Sequence, residues 1–342
     1  MMCPYCWVPI SMRDFSHRES DHENVGKLVC PLCQHDLPEN CLSASQHIIS
    51  IVGSPASGKS YFLPIHLKEL RCNLAQKYAC DLQCANENTQ QIEDMMECVY
   101  ETKKPLPMTD FCSTYHSVGG ERHPKPYIYT LKTPGMRQEH NLVYYDHTGC
   151  AFAPGRDTER KEIDYYHASG LVFMFDPFSS HDFRRCMAKH SDTNDPQHDR
   201  PIIDDHNIIL TELRNRLSKH PDRHCENLPI AFIVGKYDAW RGLARTLKFY
   251  DPTGDKGLDD AIIRENSKRL RELLWEICPA LVAIVERLPG WVTYFPISNF
   301  GKPPTKDSDG CLQLPVPLEP FLVDVPMLWL IHQFAPELVP GN

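Results

Sequence analysis

Residues 53–60 read Gly53-Ser54-Pro55-Ala56-Ser57-Gly58-Lys59-Ser60, a complete G-x-x-x-x-G-K-S phosphate loop. Its glycines let successive backbone N–H groups converge on phosphate oxygens. Lys59 neutralises the terminal phosphates, and the Ser60 hydroxyl suits a magnesium ion. The flanks agree with the motif. His47–Val52 is a short apolar run that predicts a strand, and Tyr61–Leu70 places Phe62, Ile65, Leu67 and Leu70 at helical spacing. Pro64 falls in the first turn, where proline is tolerated. Strand, glycine-rich turn and helix in that order predict nucleotide binding.

The phosphate loop alone does not choose the base. Asn141–Asp146 predicts an apolar strand ending in an acid, and it continues as Asp146-His147-Thr148-Gly149, a D-x-x-G. There Asp146 can hold magnesium and the Gly149 N–H can sense a γ-phosphate. The run Tyr127–Lys132 before it predicts one antiparallel strand. Leu228–Val234 predicts another strand, leading into Gly235-Lys236-Tyr237-Asp238. A K-x-D at a strand end suits guanine: the Lys236 stem lies along the base, and the Asp238 carboxylate accepts from the ring N–H and the exocyclic amine. Adenine offers no such donor pair. Trp291–Ile297 predicts the last strand, and Ser298-Asn299-Phe300-Gly301 after it offers a second base loop, with Ser298 as its candidate contact.

Phosphate loop, D-x-x-G, K-x-D and a terminal strand–Ser loop, in that order, resemble the translation-factor-like (TRAFAC) class of P-loop GTPases. The long insertions and the amino-terminal cysteine pairs look most like its bacterial double-GTPase branch. The resemblance spans roughly residues 46–335 by element order and is motif-specific at four loops. It implies a P-loop NTPase three-layer α/β sandwich with a mostly parallel sheet and the site at the carboxyl ends of the strands. It implies Gly53–Ser60 as phosphate binders and Lys59, Asp146 and Gly149 as the catalytic set. Ser60 and Asp146 hold magnesium, and Lys236, Asp238 and Ser298 meet the base. GTP or GDP is then the ligand, and a protein partner or activating protein is expected. The bacterial setting of the branch suggests a conflict or defence system.

Three departures from that pattern stand out. The Asn usual before the base-recognition lysine is Gly235. The position after the D-x-x-G glycine, which orients water in the family, is Cys150, a weak hydrogen-bond former. The switch threonine over magnesium has two candidates, Thr109 first and Thr114 second. Arg156 or Arg160 could act as an internal cationic finger, or both could be solvated loop charges. These features predict slow unassisted hydrolysis. A nucleotide-binding scaffold with negligible turnover and an ATPase on the same loop are the alternatives.

Fifteen cysteines are present in the 342 residues. Cys3-Pro4-Tyr5-Cys6 and Cys30-Pro31-Leu32-Cys33 form two C-x-x-C pairs with 23 residues between them. A two-residue gap lets both sulfurs of a pair grip one ion, and two such turns face to face complete a tetrahedral zinc site with no open position. Residues 1–42 therefore predict a structural zinc ribbon, and 46–342 a P-loop domain with insertions at about 77–125 and 177–206. In the ribbon, Arg13, Arg18 and Lys27 face six acids (Asp14, Glu19, Asp21, Glu23, Asp36 and Glu39), so protein contact is favoured over nucleic acid.

The whole chain carries a net charge of −9, which also argues against nucleic-acid binding by bulk electrostatics. No apolar run reaches the ~20 residues of a membrane span. Met1–Cys6 lacks the basic-then-apolar pattern of an export signal, so a reducing cytoplasm is expected. The segment 176–206 reads as a surface insertion whose histidines are too irregularly spaced for a metal site. Cys80 and Cys84 read as small buried residues on one strand face. His206–Lys219, Leu258–Ile277 and the Pro-punctuated 320–334 predict covering helices.

Overall fold

The computed structural model describes residues 1–11, 28–102, 105–106, 115–118, 121–147, 167–188, 202, 205–219, 223–243, 247–254 and 257–342. The amino-terminal unit carries a two-stranded ribbon, β1 (Leu28–Val29) and β2 (Asp36–Leu37). The chain then enters β3 (Ser45–Gly53), the phosphate loop and α1 (Lys59–Lys77). Next come β4 (Asp81–Cys84) and α2 (Asn88–Glu97), which runs on as a π-helical turn over Cys98–Thr102. The hairpin β5 (Tyr115–Val118) and β6 (Glu121–Pro124) precedes β7 (Pro126–Lys132), β8 (His140–Asp146) and β9 (Ala168–Phe175). Then follow α3 (His181–Met187), α4 (His206–Ser218), β10 (Pro229–Val234) and the short α5 (Tyr237–Trp240). The last third holds β11 (Thr253–Gly254), β12 (Gly257–Leu258), α6 (Asp260–Ile277), α7 (Pro279–Val285), β13 (Trp291–Pro296), β14 (Thr305–Lys306), β15 (Leu312–Gln313) and α8 (Val325–Phe334).

Seven strands form one sheet in the order β13-β10-β9-β3-β8-β7-β4. Only β7 runs against the others, being antiparallel to both β8 and β4. The central strands are apolar almost throughout because both faces of the sheet are covered. Side chains alternate between two cores at the period of two that a strand imposes. On β3, Ile49 and Ile51 enter one core while Ile48 and Val52 enter the other; on β10, Ala231 and Ile233 oppose Ile230, Phe232 and Val234. The first core is closed by α1, α2 and α8 through Phe62, Leu70, Ile92, Met96, Leu328 and Ile331. The second is closed by α3, α4, α6 and α7 through Phe183, Leu213, Leu270, Leu274 and Val282. This is the three-layer α/β sandwich expected from the phosphate loop. Asp259 starts α6 by accepting from the N–H groups of Ala261 and Ile262, the usual N-cap arrangement.

Within the 77–125 insertion, β4 adds a seventh strand to the main sheet and α2 packs into the first core. Two expectations need correction. The start of the 177–206 segment is not a surface loop, because Phe178, Phe183 and Met187 are buried in the second core. Periodicity missed this since α3 has only seven residues, two turns, and Arg and His occupy its outer face. Cys80 is buried as expected, but Cys84 is exposed and its thiol lies 3.4 Å from Glu93 Oε1.

Candidate functional site

The carboxyl ends of β3, β8, β9, β10 and β13 lie along one edge of the sheet. From β3 the chain builds one side of the sheet through β4, β7 and β8, then crosses to β9 on the other side, which makes β3 the switch point where ligands bind in open α/β sheets. Backbone geometry there depends on two glycines. A Cβ on Gly53 would stand 2.5 Å from the Met174 carbonyl oxygen of β9, so only glycine fits. Gly58 has φ +97°, in the left-handed region, and turns the loop into the first residue of α1. Ser54 is fully buried in this loop, Pro55 follows it, and Ala56 also has positive φ.

Lys59 is buried and folds over the loop. Its Nζ donates to Gly53 O at 2.8 Å, Ser54 O at 2.9 Å and Ser57 Oγ at 3.3 Å. Ser60 follows in the first turn of α1. Asp146 ends β8 opposite Ile51 of β3. Its Oδ1 is buried with no hydrogen-bond partner among the described residues. Burial raises the Asp146 carboxyl above its ordinary range, and the Lys59 charge opposes that shift. A buried carboxylate oxygen without a donor is costly, and a divalent cation between it and the Ser60 hydroxyl would relieve that cost. The residues present fit a phosphate group and its magnesium ion.

The base-recognition candidates meet at the next strand ends. Ser298 Oγ donates to Asp238 Oδ1 across 60 residues of sequence and accepts from the Gly301 N–H at 2.8 Å. The Tyr237 N–H donates to Ile297 O at 2.8 Å, tying the two loops further. Lys236 has φ 58°, a strained value for a side-chain-bearing residue and one that marks functional loops. Its ammonium donates to Asp176 Oδ2 at 2.6 Å and stands 5.2 Å from the centre of the Phe178 ring. Asp176 was not singled out in the sequence. Its position directly after an apolar strand, like that of Asp146, was the available signal.

The four amino-terminal cysteines also come together. The sulfurs of Cys3, Cys6, Cys30 and Cys33 all lie within 4.8 Å of one another, with Cys3–Cys33 at 3.8 Å and Cys6–Cys30 at 3.7 Å. A tetrahedron with zinc–sulfur bonds of about 2.3 Å has edges of about 3.8 Å. Both knuckles use the same turn: Cys3 O accepts from the Trp7 N–H, Cys30 O accepts from the Gln34 N–H, and Trp7 and Gln34 share positive φ. Burial raises the Cys3 thiol and takes Cys33 to about 12, so the metal's charge is what would hold these sulfurs as thiolates. His35 stacks on Tyr5, and Cys41 is buried in the same small cluster.

The ribbon is docked on the sheet. Trp7 Nε1 donates to the Tyr145 hydroxyl at 3.1 Å, and that hydroxyl donates to Pro4 O at 2.6 Å. Tyr145 immediately precedes Asp146. Tyr5 receives a hydrogen bond from Asn86 at 3.0 Å and packs edge-on against His116 of β5. Thr109, Thr114, Gly149, Cys150, Arg156 and Arg160 lie outside the described residues.

Strand order, phosphate loop and site edge together define the P-loop nucleoside-triphosphate-binding type of α/β fold. No family model matches the chain. A curated relative, named "Putative ESX-1 scaffolding and assembly protein SaeC", from Mycolicibacterium smegmatis, is 27% identical over 153 residues. That match covers 44% of this chain and 38% of the relative. Among solved structures, the Ski7 GTPase-like domain of S. cerevisiae bound to GTP aligns at 12% identity and a TM-score of 0.32 over 85% of this chain and 51% of that one. Sup35 complexed with GMPPNP aligns at 13% and 0.29 over 83% and 46%, and the SRb-GTP/SRX complex of Chaetomium thermophilum at 10% and 0.31 over 75% and 95%. At these scores the superpositions carry no argument, and the fold class stands on the strand order and the loop. Among the described residues, no helix is long and apolar enough to cross a membrane.

Proposed function

We propose that the chain is a magnesium-dependent guanine-nucleotide switch of the translation-factor-like GTPase class, with slow intrinsic hydrolysis. The observation that carries this reading is the Ser298–Asp238 hydrogen bond, which unites two base loops on the same sheet edge as the phosphate loop. The backbone of Gly53–Ser60 binds phosphates, and Lys59 exchanges its loop carbonyls for the terminal phosphate oxygens. Ser60 and Asp146 hold magnesium, which supplies charge neutralisation on the β- and γ-phosphates. Asp238 accepts from the guanine N–H groups, Lys236 lies beside the base with Asp176 fixing its ammonium, Gly149 senses the γ-phosphate, and Thr109 is the first candidate for the switch threonine over magnesium. Cys150 positions water poorly, so a protein partner completes the catalytic site.

In this reading residues 1–42 are a zinc ribbon with Cys3, Cys6, Cys30 and Cys33 as ligands, and 46–342 are the GTPase-like domain. The cysteine pairs and the long insertions support the bacterial double-GTPase-like branch as part of this proposal, with a cytoplasmic setting. A second reading, a nucleotide-controlled scaffold that turns over negligibly, is favoured by the likeness to a protein named for scaffolding and assembly. Because the chain spans 38% of that relative, only the shared stretch supports it. Single-turnover GTP hydrolysis by the isolated protein tests the switch reading: a rate well below 1 per second is expected, and a rate above roughly 1 per second would refute the dependence on a partner.

A further inference from the structure

Gly235 leaves the base-recognition loop without a side chain where the family pattern has an amide. The space for one exists: a Cβ on Gly235 would stand 3.7 Å from Ser57 O of the phosphate loop and 3.6 Å from Phe175 O, both ordinary contacts. The neighbouring loop fills the role from the other side. Asn299, directly after Ser298, places its Nδ2 3.4 Å from Gly58 O. A Cβ on Gly58 would stand 3.4 Å from the same nitrogen, so the amide closely approaches the left-handed turn. Asn299 Oδ1 is buried and has no hydrogen-bond partner among the described residues.

A half-buried amide with one end on the phosphate loop and a buried, unsatisfied acceptor at the other is poorly explained as packing. Such an oxygen has lost water and gained nothing in exchange. The Ser298–Asp238 bond fixes the same loop to the base-recognition aspartate. Asn299 therefore joins a base loop directly to the turn in front of Lys59.

We propose that Asn299 supplies, from the loop after β13, the bridging amide that the loop after β10 lacks at Gly235. It is a positioning residue: it clasps the base-reading loops onto the phosphate loop, so that purine ring and phosphates are held by one unit. Its Oδ1 takes a hydrogen bond when bound nucleotide closes the loops. This inference rests on the guanine-nucleotide reading of the site.

The test measures affinity and dissociation rate of fluorescently labelled GDP for four full-length proteins: wild type, Asn299→Ala, Gly235→Asn and the double variant. Asn299→Ala should release GDP at least tenfold faster, while the melting temperature without nucleotide stays as in wild type. Gly235→Asn should restore most of the lost affinity in the Asn299→Ala background, because the amide returns from the opposite loop. A purely local structural role for Asn299 would not be rescued from β10. Unchanged GDP release in Asn299→Ala, or a loss that Gly235→Asn leaves uncorrected, overturns the proposal. If wild type prefers another nucleotide, the guanine reading falls, and the same rescue measured with that nucleotide decides the clasp. Wild type binding no nucleotide would overturn both.

Discussion

Replacing Tyr145 by Phe removes one oxygen and strands two buried polar groups. The hydroxyl accepts from the Trp7 indole N–H and donates to Pro4 O, and Tyr145 itself is fully buried. Leaving a buried donor or acceptor unpaired costs about 1–3 kcal/mol each, so the variant should lose about 2–6 kcal/mol. At 1.4 kcal/mol per tenfold, the docked ribbon becomes about thirtyfold or more less populated. Metal release to a chromogenic chelator should accelerate by that factor if it proceeds from the undocked state, and the melting temperature should fall. Tyr129→Phe is the control, because Tyr129 Oη, on the neighbouring strand β7, is buried without a hydrogen-bond partner among the described residues. Removing it should be neutral or slightly stabilising. Indistinguishable stability and release rates in the two variants would refute the view that this hydroxyl holds ribbon and sheet together.

Three further outcomes are expected. Lys59→Ala should weaken triphosphate binding by more than tenfold, about 1.4 kcal/mol or greater, by titration calorimetry, and equal affinity would remove the phosphate-loop assignment. Asp238→Asn should lose guanine nucleotide and gain xanthine nucleotide, whose ring offers a carbonyl where guanine has an amine; unchanged base preference would place Asp238 outside the base site. His66 is fully buried and held down to about 4, below its ordinary 6.5, by burial. It is neutral in the fold while the unfolded chain takes up a proton, so its stabilisation is complete above pH 6.5 and is lost as pH falls towards 4. Between pH 7 and 5 that loss is about 2 kcal/mol, and His66→Phe should flatten the dependence by that amount in denaturant unfolding.

Much of the site could be read along the chain because each motif ends a strand, and parallel strands bring their carboxyl ends to one edge whatever the loops between them. Lys59, Asp146, Asp238 and Ser298 follow from that rule. Asp176 did not, because an acid before Pro177 reads as a turn cap, and it is one: its Oδ1 accepts from the Phe178 N–H while Oδ2 takes Lys236. Strand β4 was legible as the strand carrying Cys80 and Cys84, but its place at the edge of the main sheet was not, since four residues with a single buried side chain, Leu82, do not say which strand they pair with. The docking of Trp7 on Tyr145 joins residues 138 apart, and nothing local to either distinguishes a docking tryptophan from a core one. Asn299 was visible only as a neighbour of Ser298; its bridge to Gly58 depends on how β13 and β3 sit across the sheet.

The proposed role of this sheet edge is to bind guanine nucleotide through both its phosphates and its base. Competition of GTP, GDP, ATP and ADP for the full-length protein, with and without magnesium, followed by labelled-nucleotide displacement, tests that role most directly. GTP and GDP should displace at concentrations at least tenfold below ATP and ADP, and magnesium should tighten the triphosphate. Preferential displacement by ATP, or no displacement by any of the four, would contradict the account.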